Sequence, residues 1–331
     1  MMEQLISVVV ATYNQEDTIS RTLDSVLMQQ CHLPIEIIIG EDCSTDGTRA
    51  VCQDYARRYP DTIRLIANEH NKGIIDNYFD CLLAARGQYI ADCAGDDFWT
   101  DPLKLEKQLC VMEQHPEVTM VITNWQLYDE ATGHTRPSQQ RQHQPITPGS
   151  ELLEAILTQN NMSVFHLCTS LYRSSVFREA YDSDGHLFRN KDFGCEDIQV
   201  AFSMALRGAI AYLPDVTLNY SVGHPSASAF ADEGRQFRFV RQVTSLSHYL
   251  AQKHQLHIDN FLCQRLFALS MHAFRVHNPL LLQQVLECEK EWNVRPSVGN
   301  RLLVSLMHHQ WSWKLALRMR QFFVCVKRLL R

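Results

Sequence analysis

The chain reads as an α/β protein, with a mostly parallel, helix-covered central sheet in its first 125 residues and a helical C-terminal extension. Three observations give this reading. Short apolar runs alternate with amphipathic segments, the pattern that builds βαβ units. The runs are continuous and β-branched, as in Val8-Val9-Val10 and Ile37-Ile38-Ile39, which fits strands buried on both faces. From about Arg235 onward the pattern is almost wholly helical.

In order, Ile6 to Ala11 predicts the first strand, ending where Thr12-Tyr13-Asn14 turns polar. A helix near Asp17 to Gln30, a strand Ile35 to Gly40, a helix near Thr48 to Tyr59 and a strand Ile63 to Ala67 follow. Next come a helix near Ile74 to Ala85, a strand Gln88 to Cys93, a helix near Pro102 to His115 and a strand Val118 to Thr123. Asp129 to Gly149, rich in Gln, Thr, Pro and His, predicts a loop. Glu151 to Thr158 leads into a less regular stretch through Asn190, then a helix Asp197 to Arg207 and a strand Ile210 to Leu213. Helical breaks fall at Asn278-Pro279 and around Pro296 to Gly299. The expected division is 1–234 for the sheet domain and 235–331 for the helical region.

Composition sets the class. With 331 residues, 45% apolar and 21% charged, the chain can bury a full core and is not of the disordered type. Its eleven cysteines are scattered, without a Cys-x-x-Cys pair, so reduced thiols in a cytoplasmic protein are expected and structural zinc is not. Leu5 to Ala11 is too short an apolar run for a signal peptide or a membrane span. Charge is uneven: the last acidic residue is Glu291, after which eight Lys and Arg residues give +8 against −14 for the rest. Leu315, Met319, Phe322, Val326 and Leu329 recur there at helical spacing, with Arg320, Lys327 and Arg331 on another face. Two readings fit: a basic interfacial helix on the inner face of the cytoplasmic membrane, or a helix docked on the protein's own core with solvated arginines. Nucleic acid fits worse, because the acidic body repels phosphates.

In open α/β sheets ligands bind outside the carboxyl ends of the strands. Three polar clusters fall there: Ala11 to Asn14, Glu41 to Thr48, and Asp96-Asp97. Turn and cap chemistry accounts for any one alone. Neither a dinucleotide-binding Gly-x-Gly-x-x-Gly nor a P-loop occurs in this region, which argues against a dinucleotide redox enzyme and a P-loop NTPase. Paired carboxylates at a strand end suit Mg²⁺ or Mn²⁺ held together with substrate phosphates.

Together these segments resemble the inverting glycosyltransferases of family 2, with the Rossmann-like nucleotide-sugar fold called GT-A. The resemblance is carried by Val8 to Asn14, Ile39 to Thr48, Asn71-Lys72-Gly73, Gly87 to Ile90 and Gly95-Asp96-Asp97-Phe98-Trp99. Downstream it continues in Cys195-Glu196-Asp197 and in Ala211 to Pro214 before Tyr220, His224 and Ser228, covering roughly residues 5 to 230. It implies that Ala11 and Tyr13 line a nucleobase pocket with Asn14 beside them, that Asp42 bonds the base, most often uracil, and that Asn77 approaches the nucleotide. It further implies that Asp96 and Asp97 contact ribose and diphosphate-bound Mn²⁺ or Mg²⁺, with His224 as a further metal or diphosphate contact. Asp197 takes the place of the catalytic base, and Glu196 stands beside it. Many relatives carry an acidic residue where this chain has Ala94. The activity so implied is transfer of a sugar from a nucleotide-diphospho-sugar, a UDP-sugar in the first place, to a glycan or lipid-linked acceptor in cell-surface polysaccharide synthesis. The alternatives are an inactive nucleotide- or glycan-binding homologue and, further off, a sugar-phosphate nucleotidyltransferase.

Overall fold

The computed structural model describes residues 3–138, 144–158, 166–223, 232–309 and 311–318. The chain forms two compact units, Met1–His224 and Pro225–Arg331. The break expected at 234/235 falls within the second unit, where its first helix begins at Glu233.

The first unit is built on a ten-stranded sheet. Its long strands are β1 (Glu3–Thr12), β2 (Ile35–Glu41), β3 (Ile63–Ala67), β4 (Gly87–Asp92), β6 (Val118–Asp129) and β10 (Ala209–Val222), with short β5 (Phe98–Trp99), β7 (Thr135–Pro137), β8 (Ile146–Pro148) and β9 (Leu171–Arg173). The order is β3-β2-β1-β4-β9-β6-β10-β5, with β7 on β6 and β8 on β10. Register in the parallel centre pairs Val8 with Ile37 and Ala91. β9 runs antiparallel between β4 and β6, so all six long strands point the same way while the short ones run against them. Ile6, Val8, Val10, Ile37 and Ile39 are fully buried, and each such side chain contributes about 2 kcal/mol by leaving water.

Helices α1 (Ile19–Leu27), α2 (Thr48–Arg58), α3 (Ile74–Ala84), α4 (Lys104–Gln114), α5 (Leu153–Thr158), α6 (Ser174–Ser183), α7 (Gly185–Arg189) and α8 (Asp197–Arg207) accompany the sheet. Most expected boundaries lie within a few residues of these. Three differ more. β6 and β10 extend well past Thr123 and Leu213, because their polar second halves pair with each other from Asn124 to Asp129. The expected loop from Asp129 to Gly149 contains β7 and β8, short strands that complete hydrogen bonds at the edges of β6 and β10.

In the second unit, α9 (Glu233–His254), α10 (Asp259–Val276), α11 (Pro279–Glu291) and α12 (Val298–His308) follow one another. The Asn278 side chain accepts from Leu280 N and Pro279 opens α11, the N-terminal chemistry that makes Asn-Pro a break. Ser297 caps α12 by accepting from Asn300 N at 3.1 Å. Residues 311–318 are helical and dock through Trp313, whose indole N–H donates to the Phe274 carbonyl at 2.9 Å. No helix of the described residues is long and apolar enough to cross a membrane.

Candidate active site

Because the long strands are parallel, the loops leaving β1, β2 and β4 emerge at one edge of the sheet, and hydrogen bonds join them. Asp42 N donates to Thr12 O, and Gly95 N donates to Ala11 O. Asn14 and Cys43 both adopt left-handed backbone, with φ of 53° and 58°, sharp turns that cost a non-glycine residue energy and concentrate at functional loops. The Asn14 side chain accepts from Thr45 N at 2.8 Å, and its own N–H donates to Ser44 Oγ at 3.0 Å. Gln15 N donates to Thr48 Oγ1 at 2.7 Å. Asn14 thus works as a clasp between two loops. Tyr13 beside it is exposed and Ala11 half-buried.

Asp42 is buried, and its carboxylate organises a third loop. Oδ1 accepts from Lys72 N at 2.8 Å and from the Asn68 amide at 3.0 Å, and Oδ2 accepts from Gly73 N at 2.9 Å. Asn77 stands behind it, donating to Gly40 O at 2.8 Å and accepting from Asn68 at 2.9 Å. Gly40 is obligatory here, since a Cβ would lie 2.4 Å from Cys81 Sγ. Asp42 and Asn77 therefore fix the loop at Lys72 and Gly73 against the end of β2 through backbone and amide bonds.

The third cluster lies against the first. Gly95 packs where a Cβ would meet Gln15 Oε1 at 2.3 Å, and its carbonyl accepts from Thr18 Oγ1 at 2.9 Å. The two aspartates that follow differ in environment. Asp96 is half-buried, whereas Asp97 is almost fully buried and accepts from Ser221 N of β10 at 2.9 Å. Its Oδ2 has no hydrogen-bond partner among the described residues and lies 4.0 Å from His166 Nε2. Burial, and after it the charge of Asp96, pushes the Asp97 carboxyl well above the usual range. The buried Oδ2 of Asp97 lacks a hydrogen-bond partner among the described residues, and with the adjacent Asp96 carboxyl it gives a set of oxygen donors that fits a divalent Mg²⁺ or Mn²⁺.

His166 and Cys168 lie near enough to Asp97 to form a mixed ligand set. The proton placement argues against it. His166 Nδ1 accepts from Cys168 N at 3.3 Å, so in the neutral ring Nε2 carries the hydrogen and offers no lone pair. Burial holds the ring neutral by lowering its pKa to about 4. His166 packs against Tyr220 at 4.7 Å and Trp125 at 5.6 Å between centroids, and both of these partners are partly exposed. Trp99 is buried, and its indole N–H donates to Cys168 O at 2.9 Å, so it anchors the loop.

Glu196 and Asp197 open α8, where a helix N-terminus favours ionised carboxyls. Burial wins over that effect: it raises the pKa of both, and the charge of Asp197 raises Glu196 further. A carboxyl poised toward neutrality suits a general base. Asp197 also acts through space on Asp92, a residue that pattern reading of β4 treated as strand. The Tyr78 hydroxyl donates to Asp92 Oδ1 at 2.7 Å and lies 3.3 Å from the Tyr172 hydroxyl. Asp92 Oδ2 is buried without a partner among the described residues, and burial brings this carboxyl to about 7. Asp92 and His166 are the residues sequence reasoning missed. An acid inside an apolar strand was the available signal for the first, and nothing marked the second. His224 lies outside the described residues.

This edge, with acidic positions gathered at the carboxyl ends of a GT-A-like sheet, is the layout of a nucleotide-sugar enzyme fold. The family described as glycosyl transferase family 2 matches residues 7–180, more than half of the chain, and the chain belongs to that family. An uncharacterized protein of Mycobacterium tuberculosis is 47% identical over 115 residues, 35% of this chain and 33% of that protein. The Escherichia coli UDP-Glc:alpha-D-GlcNAc-diphosphoundecaprenol beta-1,3-glucosyltransferase WfaP is 38% identical over 111 residues, 33% of this chain and 42% of WfaP. These alignments span less than half the length of either relative. Staphylococcus aureus TarS 1-349, solved with UDP-GlcNAc, shares the fold with a TM-score of 0.61 at 18% identity, covering 95% of this chain and 89% of that structure.

Proposed function

We propose that the protein transfers a sugar, with inversion, from a UDP-sugar to a hydroxyl of a glycan or lipid-linked acceptor in cell-surface polysaccharide synthesis. The observation that carries this reading is the convergence of the Asp42 loop, the Asp96 loop and a half-buried Asp197 at one sheet edge. Relatives add support: WfaP uses UDP-Glc on a diphosphoundecaprenol-linked sugar, and TarS was solved with UDP-GlcNAc.

In this reading Ala11 and exposed Tyr13 flank the base, Asn14 clasps the loops that frame it, and Asp42 with Asn77 fixes the wall at Lys72 and Gly73. Asp96, with Asp97 beneath it, would hold a Mg²⁺ or Mn²⁺ ion, which when bound neutralises the departing diphosphate. Asp197 accepts the proton of the acceptor hydroxyl as that oxygen attacks the anomeric carbon and the diphosphate leaves, its carboxyl raised above the usual range by burial, with Glu196 beside it. The partly exposed rings of Trp125 and Tyr220 offer apolar faces to an acceptor sugar.

Incubating the protein with Mn²⁺ and a panel of UDP- and GDP-sugars tests the proposal. The expected result is release of UDP from at least one UDP-sugar, with GDP-sugars left intact. Nucleotide binding without turnover of any donor would replace the proposal with an inactive binding homologue.

A further inference from the structure

The second unit presents an apolar, cationic face that the transfer reaction does not use. On α12, Asn300, Val304 and Met307 are buried, while Val298 and Leu302 on the opposite face are 64% and 63% exposed. Leu306 continues that face one turn on and is also exposed. Partly exposed Phe267 of α10 adjoins it, within 3.6 Å of a Cβ built on Gly299. The helical segment 311–318 repeats the arrangement. Trp313 is buried against α10, while Trp311 at 71% and Leu315 at 52% look outward. Exposed Lys314 and Arg318 share the Trp311 face by helical spacing, and exposed Arg301 flanks Leu302.

Single exposed apolar residues are ordinary, but two successive helices that each bury one stripe and expose another are not. Of the tail positions named from the sequence, Met319, Phe322, Val326, Leu329, Arg320, Lys327 and Arg331 lie outside the described residues; within 311–318 one face packs on the protein's own helices through Trp313 and the other stays exposed. Charge selects the occupant. No acidic residue follows Glu291, so a second copy of this surface would bring like charges together. A purely polar polyanion would leave the tryptophan and leucines in water. An anionic bilayer surface satisfies both, because indole and aliphatic side chains enter the headgroup boundary while Lys and Arg meet lipid phosphates.

We infer that Val298, Leu302, Leu306, Trp311 and Leu315, with Arg301, Lys314 and Arg318, form a surface that binds anionic phospholipid membranes in the plane of the headgroups. This goes beyond the transfer reaction and does not depend on it.

Co-sedimentation of the full chain with vesicles tests the inference. Binding should be at least about tenfold tighter to phosphatidylcholine vesicles containing phosphatidylglycerol than to phosphatidylcholine alone, and should weaken with salt. The double variant Trp311→Ser/Leu315→Ser should lose roughly tenfold or more in affinity, and Leu302→Ser should weaken binding independently. Unchanged circular dichroism would show that both variants fold. No binding by the wild type, undiminished binding by both folded variants, or equal binding to neutral vesicles would overturn the inference. So would a wild-type dimer in light scattering that the variants dissociate, which would assign the face to a second copy. Donor turnover in the absence of vesicles should be equal in wild type and variants, so a failed membrane surface and a failed transferase reading give different results.

Discussion

Asp197→Asn should reduce donor turnover by about 10²–10⁴-fold while leaving UDP-sugar affinity near the wild-type value. The substitution keeps the shape of the side chain and its place at the start of α8 but removes the proton acceptor. The wild-type pH profile carries the same claim. A base works only when deprotonated, and burial raises this carboxyl. Activity should therefore fall as pH drops through a midpoint above the ordinary aspartate value of about 3.9. Glu196, itself raised by burial and by Asp197, shares that limb, so the midpoint belongs to the pair. Steady-state rates across pH, with a parallel binding titration, check both points. Asp197→Asn turning over donor at the wild-type rate would remove the assignment.

Asp96→Ala should lower turnover by about three orders of magnitude, the rate equivalent of the several kcal/mol that a bound cation contributes to a phosphate-bearing transition state. It should also raise the Mn²⁺ concentration needed for half-maximal rate. Asp97→Asn makes an informative contrast. The isosteric amide can still accept from Ser221 N, the bond that ties this loop to β10, and it relieves the burial of a charge. If Asp97 is chiefly an anchor, this variant should keep its thermal stability and show a smaller metal defect than Asp96→Ala. Identical Mn²⁺ dependence in wild type and Asp96→Ala would contradict the metal role.

Much of this arrangement was legible in the chain. The buried runs at Val8 and Ile37 fixed the parallel centre, because continuous β-branched stretches leave little choice but a doubly covered strand. The loops at Asn14, Asp42 and Asp96 were found from their place after those strands. Pattern could not separate Asp96 from Asp97: they are neighbours in sequence, and only the partner strand β10, 124 positions on, makes one of them an anchor. Asp42 illustrates the same limit. Its motif points to the nucleotide, while its hydrogen bonds within the chain go to the loop of Lys72 and Gly73. The long second halves of β6 and β10 were missed because their partly polar residues stabilise each other through pairing rather than through an apolar pattern. Trp311 and Leu302 carry no signal of their own in the sequence, and only the burial of Trp313 and Asn300 shows which faces are left outward.

The anomeric configuration of the released sugar tests the central claim most directly. When an α-linked UDP-sugar is turned over, proton NMR recorded before mutarotation should show the β-anomer as the first product, whether the acceptor is a glycan hydroxyl or water. Direct displacement with Asp197 as base predicts that inversion. Initial release of the α-anomer would contradict it.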